Sequence, residues 1–102
     1  MTKLVSIVIP CYNQEKYITD AIMSAENQTY KDIEIVFIDD CSTDNSLELV
    51  NELKNKYSNI VVLKNETNLG GVGSRNKAID VAKGFYILPL DGDDTIEPTY
   101  IE

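Results

Sequence analysis

The sequence contains no histidine. A Ser-His-Asp triad cannot be assembled from it, and no imidazole is available as a general base. Cysteine occurs only as Cys11 and Cys41. Two thiols without histidine cannot close a four-ligand zinc site. Any bound metal must then be held by oxygen, which favours Mg²⁺ or Mn²⁺. Each cysteine follows an apolar strand-like run, so the expectation is two reduced, small, buried side chains that lie near each other. Basic residues are scarce: 9 Lys and Arg stand against 17 Asp and Glu, a net charge of −8. That field repels nucleic acid. It also repels a phosphorylated ligand unless a cation or a cluster of N–H donors offsets it. No apolar run approaches the ~18 residues of a membrane-crossing helix. Met1-Thr2-Lys3 leads directly into a short strand rather than a secretory leader. Repeats, linkers and low-complexity stretches are absent.

What is present is regular. The 102 residues suffice for one small domain. Leu4 to Ile9 is a β-branched apolar run stopped by Pro10, the signature of a buried strand. From Glu15 to about Asn27, Tyr17, Ile18, Ala21, Ile22 and Ala25 fall on one helical face. Ile33 to Ile38 is a second strand, ending in Asp39-Asp40. Ser42 or Thr43 is placed to cap the next helix, whose stripe is Leu47, Val50, Leu53 and Tyr57. Ile60 to Leu63 is a third strand. A glycine-rich loop, Asn68 to Gly73, precedes a helix over 75–83 that Gly84 ends as its C-cap. Phe85 to Leu90 is a fourth strand, with Pro89 marking a sheet edge. Thr95 to Glu102 reads as a loop and the first turn of a further helix. The alternation implies a parallel sheet with helices on both faces.

In such sheets ligands bind beyond the carboxyl ends of the strands. Pro10-Cys11-Tyr12-Asn13, Asp39-Asp40, the glycine loop with Arg75, and Asp91-Gly92-Asp93-Asp94 all fall there. Asp91 and Asp93 flank a glycine that lets the backbone turn, so they can present oxygen to one hard cation. The competing reading is an acidic turn between strand and helix. Asp40 could accept a hydrogen bond from a uracil imide N–H, or serve a capping turn. Gly70-Gly71-Val72-Gly73 is neither a dinucleotide fingerprint nor a P-loop. It could bring backbone N–H groups and Arg75 toward a phosphate, or be a flexible loop that needs positive φ.

Five stretches together resemble the inverting glycosyltransferases of family 2, which have the GT-A fold. They are Val5 to Asn13, Asn27 to Tyr30, Ile38 to Ser46, Asn68-Leu69-Gly70 with Arg75-Asn76, and Leu90 to Asp94. The likeness covers nearly the whole chain in the family's order and spacing. It implies a three-layer α/β/α, Rossmann-like domain with a mostly parallel sheet, truncated at its C-terminus. It implies that Pro10, Tyr12, Asn13 and Asp40 line a base and ribose pocket, with Glu15 close by and Arg75 near the nucleotide. Asp91, with Gly92, and Asp93 would form the Asp-x-Asp element that holds Mn²⁺ or Mg²⁺, Asp93 being the more direct ligand. Cys41 departs from the glycine frequent in relatives, and Ser74 and Lys77 from an alanine and a glycine.

The implied activity is transfer of a sugar from a nucleotide diphosphate donor, expected to be UDP-linked, to an acceptor hydroxyl with inversion. The acceptor would be a glycan or a lipid-linked glycan, as in polysaccharide biosynthesis. The chain is expected to be a fragment of 1–102 that supplies the donor and metal site only. No catalytic base is expected within it, and the acceptor-activating carboxylate is expected further on. Its expected location is cytoplasmic, with a peripheral place at the inner membrane face open to the parent enzyme, and self-association through the truncation surface is open too. Two other readings stand beside this one: a Mg²⁺-binding signalling module of flavodoxin-like topology, and a partner-binding remnant without activity.

Overall fold

A computed structural model describes residues 2–102. Strand β1 (Val5–Cys11) is followed by helix α1 (Ile18–Glu26), β2 (Ile33–Asp39), α2 (Ser46–Lys54), β3 (Ile60–Lys64), α3 (Gly70–Val81) and β4 (Tyr86–Pro89). The four strands form one sheet in the order β3-β2-β1-β4, and every pairing is parallel. β1 is central. All seven of its residues are buried, which is why it reads as a near-continuous apolar run, interrupted at Ser6, rather than an alternating one.

The pleat divides the core. Ile7, Ile9, Cys11, Ile35 and Phe37 face α1 and α2, meeting Ile18, Ile22, Ala25 and Val50. Val8, Val36 and Ile38 face α3 and meet Ala78, Ile79 and Ala82. Helices therefore cover both faces, as the alternation requires. Each fully buried Ile or Phe contributes about 1.5–3 kcal/mol relative to exposure. A single inward carboxylate in β1 would outweigh several such gains.

Several expected boundaries move. β1 runs through Pro10 to Cys11, pairing with Ile38 and Asp39. The Val8 carbonyl accepts from Leu90 N–H, so Pro10, two residues on, points toward β4 beyond the end of its ladder. Its missing N–H costs nothing there. By the same alternation Pro89 points away from β1, on the outer side of an edge strand. α1 begins at Ile18, leaving Tyr17 as an exposed cap residue. α2 begins at Ser46, so neither Ser42 nor Thr43 caps it. Asp44 Oδ1 instead accepts from the Ser46 N–H and hydroxyl, at 2.9 and 2.6 Å.

The glycine segment is not a loop. α3 starts at Gly70, whose φ is +81, and absorbs Gly71, Val72 and Gly73. Nor does Gly84 cap this helix, because the chain already turns extended at Ala82 (φ −62, ψ 139). A Cβ on Gly84 would lie 2.5 Å from Ser6 Oγ and 2.6 Å from Ser6 N. Gly84 is there to let the chain pass β1. Residues 95–102 form turns and extended chain rather than a helix start.

Candidate functional site

β1, β2 and β3 lie successively on one side, and β4 then returns to the other side of β1. The strand order reverses between β1 and β4, and a crevice opens there beyond their carboxyl ends. Two cavities share it. One, of about 250 Å³, is lined by Pro10, Tyr12, Gln14, Asp40, Asp91 and Asp93, with Cys11, Gly71 and Ser74. The other, of about 380 Å³, lies among Arg75, Pro89, Asp91, Asp94, Ile96 and Tyr100. Asp91 borders both.

Asp40 is only 4% exposed. Its Oδ1 accepts from Leu69 N–H (2.7 Å) and Asn65 Nδ2 (3.0 Å), and its Oδ2 from Gly70 N–H (3.0 Å). The carboxylate thus seats on the first N–H groups of α3, where the helix dipole favours negative charge. Burial alone would raise its pKa. The Leu69 and Gly70 amides, Asn65 and the Ser74 hydroxyl outweigh that and hold it below the usual carboxylate value. This contact also explains why three glycines tolerate a helix: the helix end is anchored from outside. Asp40 is thereby fixed at the start of α3. It is a cap, but for α3 rather than α2, and it lines the cavity.

Asn13 and Glu15 are placed differently. Asn13 (φ +51) accepts with Oδ1 from Thr43 N–H (2.7 Å) and Asp44 N–H (3.3 Å). Its own N–H donates to Ser42 Oγ (2.9 Å), and Glu15 N–H to Asp44 Oδ2 (3.1 Å). Neither residue lines the two cavities; they bind the loop after β1 to the loop after β2. Asp44 is held below its usual pKa. Burial opposes this, but the Ser46 hydroxyl and N–H and the Glu15 N–H prevail.

Tyr12 stands half exposed (49%) at the mouth of the smaller cavity, and Pro10 lines it. Arg75, the single arginine of the sequence, lines the larger one, and its Nε is buried without a hydrogen-bond partner among the described residues. One oxygen each of Asp91, Asp93 and Asp94 lie within 4.8 Å of one another, all three residues being exposed. Oxygen donors alone, close enough to share one ion and open to water, fit Mg²⁺ or Mn²⁺. Asp94 joins the pair expected from the sequence. Gly92 is buried and does not use positive φ. A Cβ there would come within 2.4 Å of Gln14 Oε1, so space rather than turning is what it provides.

The cysteines do not match in burial. Cys11 is buried, and burial pushes its thiol pKa up to about 11. Cys41 is half-buried, with φ +63, because it sits in the loop that Asp40 and Asn13 hold in place. Both are free.

Two positions went unassigned in the sequence. Gln14 reaches over Gly92 into the crevice. Gln28, fully buried, donates through Nε2 to the carbonyls of Ser24 (3.1 Å) and Glu97 (2.6 Å) and accepts at Oε1 from Ile101 N–H (3.3 Å). With the Thr29 N–H to Pro98 carbonyl bond (2.8 Å), it ties the segment after the acidic turn to the end of α1. The signal was there: Gln28 continues the inward spacing of Ala21 and Ala25.

The fold and crevice define an open parallel α/β domain that gathers a cluster of three carboxylates and a helix-seated carboxylate at its switch point. The family model for Glycosyl transferase family 2 matches residues 6–102. The chain belongs to that family. It is 50% identical over 95 residues to the poly(ribitol-phosphate) beta-glucosyltransferase of Bacillus spizizenii, covering 90% of this chain and 15% of that one. It is 46% identical over 92 residues to the UDP-Glc:alpha-D-GlcNAc-diphosphoundecaprenol beta-1,3-glucosyltransferase WfaP of Escherichia coli, covering 90% and 36%. The crystal structure of S. aureus TarS 1-349 in complex with UDP superposes with a TM-score of 0.86 at 42% identity, covering 93% of this chain and 29% of that one. The chain spans 15% to 40% of the length of the first curated relatives it matches. Family membership sets aside the signalling-module reading.

Proposed function

We propose that this chain is the donor-binding unit of a longer enzyme that transfers a sugar from a UDP-sugar to an acceptor hydroxyl with inversion. The observation that carries this is Asp40, a buried carboxylate kept ionised beside a cation site. An ionised carboxylate only accepts hydrogen bonds. Three of its roughly four acceptor directions are taken by Leu69, Gly70 and Asn65. The remaining one is reached by the Ser74 hydroxyl, which a ligand N–H would replace. Uracil offers an imide N–H; cytosine offers a lone pair at the same ring position and is repelled. UDP in the TarS complex and UDP-Glc in the name of the E. coli relative support the choice.

Pro10 and Tyr12 wall the base in this reading. Asn13 and Glu15 serve it by fixing the loops beneath. Asp93, Asp91 and Asp94 would hold Mn²⁺ or Mg²⁺, which supplies positive charge to the departing diphosphate. Arg75 adds a fixed cation with an unspent Nε–H on the same side. The acceptor, a glycan or a lipid-linked glycan, and the carboxylate that deprotonates it belong to the remainder of the enzyme. Direct displacement gives inversion, since nucleophile and leaving group take opposite faces of the sugar carbon.

Calorimetry with UDP and Mn²⁺ tests the reading. Binding is expected with Mn²⁺, not with chelator, and Asp93→Asn should weaken it by about tenfold or more, the loss of one charged contact. Equal binding with and without metal, or no preference for UDP over CDP, would overturn it.

A further inference from the structure

Asn65 belongs to none of the motifs above, yet it is 1% exposed and every polar group of its side chain is used. It follows β3, and its backbone N–H donates to the Asp39 carbonyl at 2.8 Å. Its Nδ2 donates both to Asp40 Oδ1 and to Ser74 Oγ, each at 3.0 Å. Its Oδ1 accepts from Lys77 Nζ at 3.2 Å. The amide orientation is fixed by chemistry. An ammonium only donates and an ionised carboxylate only accepts, so Oδ1 must face Lys77 and Nδ2 must face Asp40. Lys77 itself is exposed and lines neither cavity of the crevice.

We infer that Asn65, oriented by Lys77, is a specificity-determining positioning residue that holds Asp40 in the attitude that discriminates between bases. This rests on the proposed nucleotide reading of Asp40 and extends it to residues that touch no ligand. Asn65 occupies Oδ1 and also donates to Ser74 Oγ, which leaves the Ser74 O–H to donate to Asp40. Oδ2 is left as the oxygen that meets the base. Without Asn65 the carboxylate keeps its two backbone donors, because Leu69 and Gly70 remain, but it is free to rotate about them and to meet water. Its contrast between a ring N–H and a ring lone pair then falls. A buried polar group left unpaired is what gives a site its power to reject the wrong partner.

The test measures UDP and CDP affinities in Mn²⁺ for the wild-type chain, Asn65→Leu, Lys77→Met and Lys77→Arg. Asn65→Leu should lower the ratio of UDP to CDP affinity by roughly tenfold, the worth of a hydrogen bond to a charged group. Lys77→Met changes only an exposed side chain, so it perturbs the fold less than Asn65→Leu at a buried position, and it should lower the ratio by about threefold. Lys77→Arg should restore it. A purely structural role would weaken UDP and CDP alike and leave the ratio unmoved, and that result would overturn the inference. A wild-type preference for UDP that survives both Asn65→Leu and Lys77→Met overturns the inference alone. A wild-type chain with no such preference overturns the proposed function and the inference together.

Discussion

Replacing Asp40 by asparagine keeps the shape of the side chain and removes its charge. The structure supplies the magnitude. Leu69 N–H and Asn65 Nδ2 meet one oxygen, and Gly70 N–H the other. Whichever way the new amide turns, its NH₂ faces at least one of these donors, which then loses its acceptor at a position only 4% exposed. Hydrogen bonds to charged groups are worth about 1.5–3 kcal/mol, and a stranded buried donor costs about 1–3 kcal/mol. The loss should be about 3 kcal/mol, a large part of the stability of a domain this size. With a shift of about 4–8 °C per kcal/mol, the melting point should fall by more than about 10 °C. Urea unfolding followed by circular dichroism at pH 7 measures it. The pH dependence gives an independent check. The folded pKa of Asp40 lies below its unfolded value near 3.8. The stabilisation is therefore complete above that value and is lost as pH falls through the folded pKa. The gap between wild type and Asp40→Asn should close in acid. A variant within about 0.5 kcal/mol of wild type at pH 7, the scatter of ordinary surface changes, would refute the claim that Asp40 anchors α3.

Three further outcomes are expected. Gly84→Ala should destabilise the chain by about 1–3 kcal/mol, since the new Cβ meets Ser6 backbone at 2.6 Å; a melting point equal to wild type would contradict this. Gly92→Ala should leave stability within about 1 kcal/mol of wild type, because the clash is with the flexible end of Gln14, yet it should weaken UDP binding by pushing that side chain into the cavity; calorimetry and melting together read the two effects. Cys41→Gly should raise stability by about 1 kcal/mol, relieving a left-handed backbone at φ +63, and unchanged urea midpoints would count against strain there.

The strands and buried helical faces were legible because their periods are local. β1 and β2 are apolar on both faces, and Ala21, Ile22 and Ala25 repeat at helical spacing. What failed was set by partners remote in sequence. Gly70 to Gly73 carry poor helix propensity, and only the Asp40 carboxylate, brought in from β2, makes a helix start there. Ser42 and Thr43 look like caps, but Asn13 claims both hydroxyls and the two loops close on each other instead. Of the candidate site, the acidic turn, Asp40, Tyr12, Pro10 and Arg75 do meet at the crevice. Asn13 and Glu15 adjoin it in sequence yet face the neighbouring loop. Asn65 and Lys77 carried no local signal, since a polar residue after a strand is ordinary until its buried partners are known.

The central place of β1 has a consequence for how the molecule comes into being. β1 leaves the ribosome first, but one of its edges is closed only by β4, about eighty residues later. β1, β2 and β3 can associate while β4 is still unmade, whereas the crevice needs Pro10 to Tyr12 and Asp91 to Asp94 together. The crevice is thus the final part of the sheet to be assembled. Partly folded chains should not recognise nucleotide, and ligand that binds only the finished state draws the whole equilibrium toward it. On the proposed reading, docking of β4, a four-residue strand with three exposed side chains, becomes the step at which folding and recognition share one free energy.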